Sequence, residues 1–143
     1  MGRLQYTTWL AEQAMSALLY WWPVTLTLVV GFVLTLAVYS PIVGPRAHFC
    51  RRHLLVLTPL AVVVLILVWG TAMEHPVTSP TPASSWPSYV VFALLILQLL
   101  ISVWVVWAMK GYRWFSVFIV ALEQWFGLAC AFVASMSVTG DWL

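Results

Sequence analysis

Glu123 is the one carboxylate inside a long apolar run, the stretch Trp114–Ser137, so any membrane-embedded chemistry in this chain starts there. If a helix begins at Trp114, Glu123 lies roughly 13 Å along it, near the middle of a hydrocarbon core about 30 Å thick. An ionisable side chain at that depth costs several kcal/mol unless it is neutral, paired or wetted, which makes it a functional-site candidate by default. At about 100° per residue, Glu123 shares a face with Ser116, Gly127, Cys130 and Ala134, and Trp114, Phe118, Trp125, Phe132 and Met136 share the opposite one. The small and polar stripe suits close helix packing and is expected to point into protein, while the aromatic stripe is expected to face lipid or a partner subunit.

A partner for Glu123 is sought at the same depth. Gln98 is the strongly polar residue in the middle of the preceding apolar run, and counting back from the turn at residues 110–113 makes the two nearly level. Thr27, Gly31 and Thr35 recur at i, i+4 and i+8 on the first span. A cluster of Glu123, Gln98 and a hydroxyl of Thr27 or Thr35 is the expected way to satisfy the carboxyl group, with Gly31, Ser116, Gly127 and Ala134 as packing positions. Three roles fit such a cluster. It could be interhelical glue built on a neutral Glu123, a proton or cation relay or a polar contact to a cofactor or substrate, or a contact to another subunit.

Other candidates are weaker. His48-Phe49-Cys50-Arg51-Arg52-His53 mixes metal-ligating types but matches no compact zinc spacing, so no metal is expected. His48, His53 and His75 all fall in loops or at helix edges, so a haem, pigment or quinone would have to be held mainly by a partner subunit. Cys50 and Cys130 fall at different depths and form no redox spacing. No nucleophile motif, phosphate-cradling loop or acidic metal pair is present.

The elements that must position these residues follow from composition. The 143 residues are 64% hydrophobic and only 7% charged. A soluble domain carries about 25% charged residues, so this chain lacks the charge to coat a water-facing surface. Its surface is expected to face lipid, with no room for a nucleic-acid-binding or soluble catalytic domain. One all-α integral membrane domain is expected over residues 1–143, with transmembrane helices at about 22–43, 54–72, 88–109 and 114–137. Residues 5–20 read as a short N-terminal amphipathic helix lying in the interface, or as an extension of the first span.

Five of the six basic residues, Arg46, Arg51, Arg52, Lys110 and Arg113, lie in loops 44–53 and 110–113. These loops are expected to be cytoplasmic and in contact with lipid headgroups. The Pro- and Ser-rich loop 73–87 and both termini then lie on the other side, in an arrangement expected of a bacterial inner membrane. Most of the ten Trp fall near helix ends, as interfacial belts require. The first functional expectation is a small non-catalytic subunit that packs into and stabilises a larger membrane complex, for instance an energy-transducing one. Its partners are lipid and other integral membrane subunits, or further copies of itself. The alternative is a small oligomeric transporter or channel for protons, ions or small molecules that uses Glu123 at the midplane. A lipid- or quinone-directed enzyme ranks third, because Glu123 has no second titratable group at its depth.

Overall fold

In a computed structural model, residues 3–43, 55–75, 85–110 and 113–140 are described, and their regular elements are helical throughout. They form α1 (Arg3–Tyr20), α2 (Trp22–Val43), a 3-10 turn (Leu55–Leu57) leading into α3 (Thr58–Ala72), α4 (Trp86–Ala108) and α5 (Arg113–Thr139). Pro59 and Pro87 sit in the first turns of α3 and α4, where a missing N–H costs nothing. Arg46, Arg51, Arg52, His48, His53 and Cys50, together with most of the 73–87 loop, lie outside the described residues.

The stretches Leu55–Ala72, Trp86–Ala108 and Arg113–Thr139 are each long and apolar enough to cross a membrane. A fourth crossing is formed if α1 and α2, bent by 88° at Trp21, count as one broken span. The break has a local cause. Pro23 offers no N–H to the Leu19 carbonyl, and its ring crowds that carbonyl. Thr25 repairs part of the damage by donating its hydroxyl to the Leu18 carbonyl at 3.0 Å.

α5 packs against each of the other four helices and is the hub of the molecule. The bent pair follows it from end to start. Tyr6 meets Ser137, Thr25 meets Trp125, Gly31 lies against Phe118, and the Phe32 and Phe115 rings stand 5.9 Å apart. Residues 5–20 fall within a helix of their own, set off from α2 by the bend. Leu10, Ala14 and Leu18, one turn apart, are buried in the core against α3 and α5.

Two apolar clusters fill the interior. The larger joins Leu10 and Ala14 to Val62, Val63 and Ile66 of α3, Val91 of α4, and Cys130 and Ala134 of α5. The smaller joins Val56, Val105, Met109 and Val120 toward the α4–α5 turn. Gln98 lies in sequence midway between Val91 and Val105, and Glu123 falls between Val120 and Cys130. The polar contact therefore occupies the gap between the two clusters.

Candidate functional site: an interhelical polar seam

On α5, Ser116, Glu123, Gly127, Cys130 and Ala134 are all buried, and together they form one face of the helix. The opposite, aromatic face is divided. Trp114 and Phe132 are exposed, but Phe118 and Trp125 are packed beneath α2. The expectation that this whole stripe faces lipid or another subunit is corrected accordingly, because the bend at Trp21 lays α2 across its middle.

Gln98 is completely buried, and its Nε2 donates to the backbone carbonyl of Glu123 at 2.9 Å. Gly127, one turn further along α5, makes this possible. A Cβ at that position would run into the Gln98 amide, so the absence of a side chain is the seat in which the amide rests. The Glu123 side chain is 8% exposed. Its Oε2 and the Gln98 Oε1 are buried with no hydrogen-bond partner among the described residues. Gln98 and Glu123 do meet, but through the Glu123 main chain, and the carboxyl group is not what the amide satisfies.

The threonines of α2 do not join them. The Thr27 hydroxyl is exposed and donates to the Pro23 carbonyl at 2.7 Å, and the buried Thr35 donates to the Gly31 carbonyl at the same distance. Each spends its one proton on the carbonyl four residues back, the usual alternative for a helical hydroxyl. The expected Glu123–Gln98–Thr cluster is therefore corrected to a Gln98–Glu123 contact alone. Gly31 sits against the Phe118 ring and Ala134 against Gly70, both close approaches. Lys110 is exposed with its Nζ 5.6 Å from the Trp107 ring centroid, and Arg113 is exposed at the start of α5.

Three further interhelical contacts were not anticipated from the sequence. Ser137 donates to the Gly70 carbonyl at 2.9 Å, so Tyr6 must be the donor in its 2.9 Å contact with the Ser137 hydroxyl. Thr71 likewise donates to the Leu67 carbonyl, leaving Thr7 to donate to Thr71 at 3.0 Å. The Trp125 indole donates to Thr25 Oγ1 at 3.0 Å, and Thr25 in turn donates to Leu18. In each, a hydroxyl satisfies a helix carbonyl and accepts a bond from another helix. The sequence signal was faint: a hydroxyl two residues after a proline for Thr25, and none for the other two.

Chemically, this seam offers buried hydrogen-bond acceptors. An ionised carboxylate whose buried Oε2 has no partner among the described residues would carry a cost of several kcal/mol. A neutral carboxyl group retains one O–H donor and fits the surroundings better. Comparison of the chain with protein families, curated proteins and solved structures returns no match.

Proposed function

We propose that this chain is a small non-catalytic subunit that packs into a larger membrane complex and stabilises it. The observation that supports the reading is the mixed character of the bent α1–α2 surface. The outward residues of α1 include Thr8, Glu12, Gln13 and Ser16, all exposed. Across the 88° bend, α2 turns Val24, Leu26, Val29, Val30, Val33 and Leu34 outward. Hydrocarbon suits α2 but not these four α1 side chains, and α1 also exposes Leu4, Met15, Leu19 and Tyr20, which water does not suit. A neighbouring protein that offers polar groups along α1 and apolar ones along α2 suits both. In this reading the Gln98 and Glu123 contact serves as interhelical glue within the span, and the basic loops face the cytoplasm with both termini opposite.

Isolation in a mild detergent followed by mass spectrometry of the intact assembly tests the proposal. Other membrane chains should accompany this one in fixed ratio. Recovery of the chain free of other proteins, whether single or paired with itself, overturns it.

A further inference from the structure

Gln124 follows Glu123 in sequence but faces a different way, and nothing in the subunit reading uses it. Its Oε1 accepts a 3.4 Å contact from the buried Ser102 hydroxyl of α4. Among the described residues its Nε2 has no acceptor, and that nitrogen is not fully enclosed. The surface there is a groove of about 290 Å³ between α4 and α5, with otherwise apolar walls that include Leu99, Val103, Val117 and Ala121. Gln124 is close to the middle of the 27-residue α5. An unpaired primary amide in hydrocarbon is costly, and acyl chains offer it no acceptor.

The spacing around Gln124 is the second observation. Trp114, Val117, Ala121, Gln124 and Leu128 follow one another at intervals of 3, 4, 3 and 4 residues, the repeat of a helix that pairs along a seam. Trp114, Val117 and Leu128 are exposed, and Ala121 and Gln124 are half-buried. The seam that α5 turns inward is a different one, through Ser116, Glu123, Gly127 and Cys130.

We propose that α5 pairs with α5 of a second copy of this chain along this outward stripe, with the two Gln124 amides bonded to each other at its centre. A two-fold axis along the membrane normal keeps every residue at its own depth, so Gln124 of one copy meets Gln124 of the other. The amide is self-complementary. Each Nε2 donates to the opposite Oε1, which has a second lone pair left after the Ser102 contact. Small Ala121 beside it allows the close approach that such a bond needs. A different protein would have to supply a polar group at this depth, whereas a second copy brings one by symmetry. This pairing is independent of the subunit reading. A complex with two copies satisfies both, and an isolated dimer satisfies this proposal while overturning the other.

Cross-linking in native membranes tests the proposal. In a full-length Cys50→Ser, Cys130→Ala background, Val117→Cys should join two copies into a species of twice the mass. Val33→Cys, on the outward face of α2, should not. In a dilution series in detergent, Gln124→Leu should weaken the dimer by about tenfold with helix content unchanged. The proposal is overturned if Val117→Cys stays monomeric or joins only to another protein, or if Gln124→Leu leaves the monomer–dimer midpoint where it was. Should Gln124→Leu fail to fold, the Val117→Cys cross-link decides alone.

Discussion

At the scale of single residues, Gly127 and Gln98 depend on each other more than either depends on the Glu123 carboxyl group. A side chain at Gly127 and the amide of Gln98 claim the same space, so Gly127→Val should displace the amide and cost about 2 kcal/mol or more through overpacking and a lost bond. Gln98→Leu, which keeps the volume and removes the donor, should cost only about 0.6–1.7 kcal/mol, the range measured for hydrogen bonds between membrane helices. Thermal or denaturant unfolding in detergent would order the two, and a larger loss for Gln98→Leu would contradict the steric argument. The buried face of α5 was legible because a 100° rotation per residue sorts Ser116, Glu123, Gly127, Cys130 and Ala134 together whatever covers them. The bonding was not legible. Periodicity places a side chain on a face, but it does not say whether Gln98 finds a carboxyl or a main-chain carbonyl, or whether Thr35 turns outward to a neighbour or back onto its own helix.

Among the elements, the bend at Trp21 decides most of what is unusual. Pro23 marks it in the sequence, yet a proline in a first helical turn and a proline at a break look alike until the preceding helix has somewhere to pack. Here α1 packs by Leu10, Ala14 and Leu18, a stripe too short to distinguish a protein core from a membrane surface. The helix positions themselves were plain. α2 starts at Trp22, α4 starts two residues before the expected 88 and ends one short of 109, and α5 starts one residue before 114 and ends two beyond 137. Thr25 ties the bend to α5 by accepting from Trp125 while bonding Leu18. Thr25→Val should therefore cost about 1–2 kcal/mol and loosen α2 selectively. Hydrogen exchange should rise over residues 22–37 and stay unchanged across α4. Equal loosening of both helices would mean that Thr25 is not the tie.

For the whole molecule, α5 is the shared wall of the fold, and the chain surrounds it with one continuous helix pair on one side and two apolar helices on the other. The charge distribution supports the proposed orientation, with the basic loops cytoplasmic. Cysteines introduced singly at positions 77–85 should react with an impermeant thiol reagent from the non-cytoplasmic side, and labelling from the cytoplasm would invert the proposed topology. In the proposed subunit, Glu123 is a structural residue and performs no chemistry. Glu123→Gln tests this most directly, because Gln preserves the shape and the hydrogen-bonding capacity of a neutral carboxyl group but can neither gain nor release a proton. The measurement is the amount of assembled complex and its activity per assembled copy when Glu123→Gln replaces the native chain. Both should stay near the unaltered level; normal assembly with activity lost would contradict the structural role and point to proton or cation handling at Glu123.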